Sequence, residues 1–210
     1  MEIKFQHFLF ALLALANNIS AIPMFIRISK DLSSSETNRL SLISTFTAFL
    51  TMVVSMLTGT IILRFFGISL DAFRVAGGIL LAGIGYKMMN DPTSETQDSG
   101  RSVLPNMISL AVIPIGIPLT TGPGVITTVI VFSQGIFDSV RLFIELLLAI
   151  LVVTGADYLS FRYSHRLLTI LGNTGLNVFT RVFGLIVLAI GVQFVAVGVG
   201  NLFPDLTVRH

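Results

Sequence analysis

The stretch from Leu110 to Thr128, L-A-V-I-P-I-G-I-P-L-T-T-G-P-G-V-I-T-T, constrains this chain more than any other. It lies inside a charge-free run of 36 residues, Ser102 to Phe137, well beyond the roughly 20 that cross a bilayer. Pro114, Pro118 and Pro123, with Gly116, Gly122 and Gly124, interrupt it. Each proline lacks an N–H and clashes with the carbonyl four residues back, so Leu110, Pro114 and Leu119 lose their helical donors. Three such losses close together unwind a helix rather than kink it. Unwound backbone at membrane depth is stable only where protein buries it or a water-filled cavity faces it, so this segment is expected to be the functional centre.

The rest of the chain reads as membrane too. Hydrophobic residues make up 53% and charged residues 11% of the 210, with a mean hydropathy of +0.89, against about 25% charged in soluble domains. There is no cysteine, hence no disulfide framework, thiolate nucleophile or Cys-based metal site. The net charge of +2 is spread without a basic run, which argues against a nucleic-acid partner. His7, His165 and His210 show no ligand spacing, and neither a metal nor another cofactor is expected.

Span one is the 22-residue uncharged run between Lys4 and Arg27. Its start, with Ala14-Leu15-Ala16, looks like a signal-peptide core, but the run continues to Ile26 and is read as a retained span. Asn17, Asn18 and Ser20 precede Pro23, so a break or kink is expected there. D-L-S-S-S-E-T-N-R then reads as a helix start, Ser ahead of an acidic first turn. Span two is the 24-residue run Leu40 to Leu63. Span three must cover about residues 70–90 with charges at its ends, and Gly78-x-x-x-Ala82 offers a small-xxx-small packing face. Residues 91–102 form a polar loop. Span four is the broken segment, span five covers about 142–161, and span six is the uncharged run Val182 to Leu202.

Arg74-Val-Ala-Gly77 heads span three and Arg181-Val-Phe-Gly184 heads span six, 107 residues later; Thr58-Gly59 is echoed by Thr154-Gly155. The echoes point to one all-α membrane domain of six helices built as two homologous units, 1–90 and 103–210. An odd number of spans per unit inverts the second. Basic residues in the connectors after spans one, three and five outnumber the others eight to five, which places both termini on the periplasmic side.

F-G-I-S-L-D-A-F-R-V-A-G-G-I-L-L (66–81) and I-P-I-G-I-P-L-T-T-G-P-G-V-I-T-T (113–128) together resemble the MarC family of bacterial multi-pass inner-membrane proteins, over essentially the whole chain. The resemblance implies six spans, a place in the LysE-like transporter grouping that includes amino-acid exporters, and neutral amino acids as candidate substrates. One motif departs from the family. Where its members carry Asp/Asn-Pro-x-Gly-x-x-Pro, this chain has Asn17-Asn18-Ile19-Ser20-Ala21-Ile22-Pro23, which points to a span one less unwound than theirs.

A helix that restarts inside the membrane presents N–H groups and partial positive charge, and the half-helix before it ends in free carbonyls. Such a pair suits a small zwitterion or neutral polar solute. The candidate substrate-binding residues are Asn17, Asn18, Ser20 and Pro23 in span one and Pro118, Thr120, Thr121, Gly122, Pro123 and Gly124 in span four. Thr121 or Gly122 is expected to cap the restarted helix. Asp71 is expected to pair with Arg74 and Arg141 with Glu145; Glu145 and Asp157 are expected at the interfaces, with a coupling proton the lesser reading. A secondary transporter or exporter of small neutral solutes is the leading function. Alternatives are an intramembrane enzyme, disfavoured because G-x-S-x-G and His-Glu-x-x-His are missing, and a non-transporting assembly or regulatory membrane protein. The lipid bilayer and a small-molecule solute are the expected partners; a homo-oligomer stays open.

Overall fold

The computed structural model describes residues 5–16, 18–29, 32–90 and 121–204. Its helices are α1 (Phe5–Ala16), α2 (Asn18–Ser29), α3 (Ser34–Phe65), α4 (Leu70–Asn90), α5 (Pro123–Phe132), α6 (Val140–Arg162) and α7 (Ser164–Leu202). No strand occurs among the described residues. The all-helical class is as expected.

Helix ends follow local chemistry. Ser33 caps α3 by accepting from the Glu36 N–H, and the Glu36 carboxylate accepts the Ser33 N–H at 2.8 Å, a complete capping box. α3 closes on Gly67, whose φ of 68° is open to glycine; Gly67 N–H donates to Arg64 O and Ile68 N–H to Leu63 O, a Schellman stop. Ser69 Oγ accepts from Ala72 N–H at the head of α4, and Ser139 Oγ from Leu142 N–H at the head of α6. Ser33→Ala is expected to cost about 0.5–2 kcal/mol, read as a lower melting temperature in detergent; no change would mean that the α3 terminus frays in the native protein.

Among the described residues three helices are long and apolar enough to cross a membrane: α3, α6 and the Thr174–Leu202 part of α7. Six spans were expected, and part of the chain that would hold them lies outside the described residues. In span one the described residues, 5–16 and 18–29, are helical. α2 continues through Pro23, so the chain is not unwound there. α4 reaches 21 residues, about 32 Å at 1.5 Å per residue, but carries Asp71, Arg74 and Lys87. α5 has only 10 residues, and the N-terminal part of span four lies outside the described residues. α7 is divided at Gly172, where φ is 61° and ψ 176°.

Packing is by glycine in one layer and by large apolar groups in another. α4 and α7 run antiparallel, backbone against backbone. A Cβ on Gly78 would lie 2.6 Å from Gly191 O, and one on Gly85 the same distance from Gly184 O. A Cβ on Gly191 would meet Ala82 N at 2.6 Å, so the Gly78-x-x-x-Ala82 face works as read. α5 lies between α3 and α4, Gly59 facing Ile130 and Gly77 facing Thr127. α1 joins α5 through Phe8 and Phe132, ring centroids 5.0 Å apart. Phe8, Leu12, Ala16, Met52, Met56, Leu146 and Val153 belong to one apolar cluster, and Ala21, Phe25, Leu40 and Phe161 form a second, with Phe25 stacked on Phe161 at 4.7 Å. α3 and α6 are therefore antiparallel.

The outside of the bundle is apolar as well. Phe46, Leu50, Val54, Ile144, Leu148, Leu151 and Val152 are exposed. An apolar surface of that extent is untenable for a monomer in water and natural against lipid.

Candidate functional site

α5 starts where the sequence placed its restart. Gly122 is the N-cap, with φ −59° and ψ 169°, and Pro123 occupies the first helical position, where its missing N–H costs nothing and its fixed φ suits the helix. Val125 N–H and Ile126 N–H both turn back to Gly122 O, at 2.9 and 3.2 Å. The first-turn N–H that the helix cannot itself use is therefore that of Gly124. Thr121 is fully buried, Gly122 half-buried and Pro123 exposed. In the following turns Thr127 and Thr128 return their hydroxyl protons to the carbonyls of Pro123 and Gly124, each at 2.9 Å, so they offer a solute acceptors only.

Gly124 is buried against α4: a Cβ there would come within 2.6 Å of Leu81 Cδ2 and 3.5 Å of Ile84 Cδ1. Its missing side chain admits Leu81. Asn18 and Ser20 fall in the first turn of α2, and Pro23 is exposed farther along it. Asn17, Pro118 and Thr120 lie outside the described residues. α1 reaches α5, whereas α2 packs on α6 and α7.

The charged pairs are as expected at two places. Arg74 Nη1 donates to Asp71 Oδ1 at 2.8 Å, and Asn201 Nδ2 to the same oxygen at 2.9 Å, tying α4 to α7. Arg141 Nε pairs with Glu145 Oε1 at 2.8 Å. Asp157, expected at an interface, is wholly buried in the bundle, and it is the one charged residue that is buried among the described residues. Helix position alone gave no sign of this.

Two cavities flank the bundle. One of about 780 Å³ opens between α1, α6 and α7, with Gln6, His7 and Ser160 as polar groups in an otherwise apolar lining. The other, about 420 Å³, lies where α3 and α5 both end, lined by Arg64, Ser69, Gln134 and Asp138 among others. Thr121 to Gly124 line neither.

An all-helical chain with an apolar exterior, three membrane-length helices and a short helix starting among buried residues is an integral membrane protein. The chain belongs to the MarC family: the family described as MarC family integral membrane protein matches residues 3–203. It is 33% identical to a UPF0056 membrane protein of Buchnera aphidicola subsp. Schizaphis graminum over 95% of this chain and 93% of the relative. It is 31% identical to the UPF0056 membrane protein YhcE of Escherichia coli, again over 95% and 93%, and 29% identical to the UPF0056 membrane protein YvbG of Bacillus subtilis over 96% of both. No solved structure matches the chain.

Proposed function

We propose that this protein is a secondary transporter of small neutral solutes, neutral amino acids first among them, acting in the bacterial inner membrane with both termini periplasmic, and that it is not an enzyme. The observation that carries the reading is the start of α5. A helix whose N-terminus is set among buried residues, capped by glycine with a proline behind it, offers a backbone N–H at Gly124 that the helix does not use, with the buried Thr121 beside it. Such a donor suits a carboxylate or carbonyl oxygen rather than a multiply charged anion, for which more donors would be needed.

Six spans in two inverted units accompany the proposal. The helices that the repeat makes equivalent are also the ones that touch: α1 with α5, α3 with α6, and α4 with α7. In the last pair the registers Gly78 to Gly191 and Gly85 to Gly184 run antiparallel, as inversion requires. Binding sites of such transporters form where discontinuous helices of the two units meet.

The test is flux. Protein reconstituted in liposomes should carry labelled alanine or glycine above the rate of empty vesicles, with unlabelled neutral amino acids competing and lysine or glutamate not. Flux equal to that of empty vesicles for alanine and glycine, under proton and sodium gradients of either direction, would remove the reading.

A further inference from the structure

We infer that the cavity of about 420 Å³ where α3 and α5 end is a binding site for a free α-amino acid as its zwitterion, apart from the head of α5. Arg64 and Asp138 both line it, and they come from different elements. Arg64 is in the last turn of α3; Asp138 lies in the link between α5 and α6. Neither side chain has a hydrogen-bond or ion-pair partner among the described residues, where the ion pairs are Asp71 with Arg74 and Arg141 with Glu145. The cavity thus carries one cation and one anion that do not neutralise each other by contact.

Local structure holds both charges in place. Arg64 O accepts from Gly67 N–H, and Leu63 beside it is buried, so the guanidinium hangs from a closed helix end. In the link, Ile136 N–H donates to Ser133 O at 3.1 Å and Asp138 N–H to Gly135 O at 3.0 Å. These are two successive turns. Gly135 takes a φ of 79°, which a residue with a side chain rarely adopts, and Ile136 is buried in the apolar cluster that holds Val129 and Leu146. Asp138 is therefore presented from an anchored backbone rather than from a loose loop.

The pairing of signs selects the ligand. Arg74, whose Nη2 is 3.5 Å from Gln134 Oε1, is neutralised by Asp71, and Arg141 by Glu145. An inorganic or organic anion would meet the Asp138 carboxylate and a cation the Arg64 guanidinium, and juxtaposed like charges are costly. A molecule carrying both charges escapes either penalty. Ser69 Oγ accepts from Ala72 N–H and keeps its own proton for a carboxylate. The volume is at the lower end of the roughly 300–1,000 Å³ of small-molecule sites, and Leu70 and Phe137 in the lining offer an apolar side chain a surface. The larger cavity has neither a carboxylate nor a guanidinium in its lining and makes no such selection. α5 is 10 residues long, about 15 Å, so the site is roughly that far from Gly124 along the helix. Under the transporter reading, on which this role rests, it holds the same solute at the periplasmic end of α5.

Binding is read as melting temperature with L-alanine as the probe, because a ligand held by the folded state and not by the unfolded one raises it with concentration. Purified full-length protein in detergent should melt progressively higher with L-alanine, and not with propionate or ethylamine, each of which lacks one of the two charges. Arg64→Gln and Asp138→Asn should each raise the alanine concentration that gives half the shift by roughly three- to ten-fold, between the effects of an exposed and a buried charge contact. Without alanine both should melt within a few degrees of wild type, since the two side chains are exposed. Selection should change in opposite directions: ethylamine should shift Arg64→Gln, whose cavity keeps the carboxylate alone, and propionate should shift Asp138→Asn. Thr121→Val should keep the alanine shift, which assigns it to the cavity and not to the head of α5. A wild type indifferent to alanine, a shift lost in Thr121→Val but unchanged in both cavity variants, or cavity variants that still ignore ethylamine and propionate would overturn the site. Absent alanine flux beside a shift that the two cavity variants weaken would instead remove the transporter reading and leave the cavity site standing.

Discussion

Gly78→Ala is expected to lower the melting temperature of the protein by roughly 2–12 °C, and Gly83→Ala, one turn along the same helix, to leave it unchanged or raise it. Between Gly78 and α7 there is no room for a methyl group: its carbon would lie 2.6 Å from Gly191 O and 2.8 Å from Val195 N. Both atoms are backbone and cannot rotate aside. Relief requires α4 and α7 to separate along their length, which weakens the Gly85 and Gly198 approaches at the same time. Overpacking of this kind costs about 1–3 kcal/mol, and each kcal/mol moves the midpoint by about 2–4 °C for a chain of this size. Gly83 faces away from α7, with nothing within 4 Å of its absent Cβ, so alanine there contributes only its better helix propensity, about 1 kcal/mol. Melting in detergent of the two variants beside wild type decides the point. Equal midpoints for Gly78→Ala and Gly83→Ala would mean that α4 and α7 do not hold this register in the protein.

How far the sequence could be read depends on the range of the interaction concerned. Ser33 with Glu36, Asp71 with Arg74 and Arg141 with Glu145 lie three or four residues apart, where helix geometry alone brings the side chains together, and all three pairs are present. Gly122 and Pro123 announced the start of α5 for the same reason: cap preferences are local. Asp157 was not legible. Its burial arises from the register of α3 against α6, fixed by clusters more than a hundred residues apart in the chain, and a carboxylate near a helix end reads the same whether it faces water or a neighbour. That Gly124 also admits the Leu81 side chain was not legible either, because it depends on the packing of α4. The Gly172 break in α7 went unread because Gly172 falls between the stretches read as spans five and six, where no helix was expected. In span one the helix of residues 18–29 runs through Pro23.

Thr121→Val is expected to reduce alanine flux in liposomes roughly five-fold to more than a hundred-fold while leaving the melting temperature within a few degrees of wild type. The change keeps the shape of the side chain and removes its hydroxyl. Because Thr121 is fully buried, water cannot take over the lost hydrogen bond, and any polar group the hydroxyl served is left unsatisfied at about 1–3 kcal/mol. If that group belongs to the solute, the loss falls on affinity; if it belongs to the protein, it falls on stability. Gly124 supplies the contrast. Gly124→Leu drives a side chain into Leu81 and Ile84 and is expected to lower flux and melting temperature together, whereas Gly124→Ala requires only that Leu81 change rotamer and should spare both. Flux and melting measured on the same three preparations therefore separate solute binding from packing at the head of α5. Wild-type flux in Thr121→Val would remove that hydroxyl from the site and leave the Gly124 N–H as its sole donor, too little to hold an amino-acid carboxylate in place.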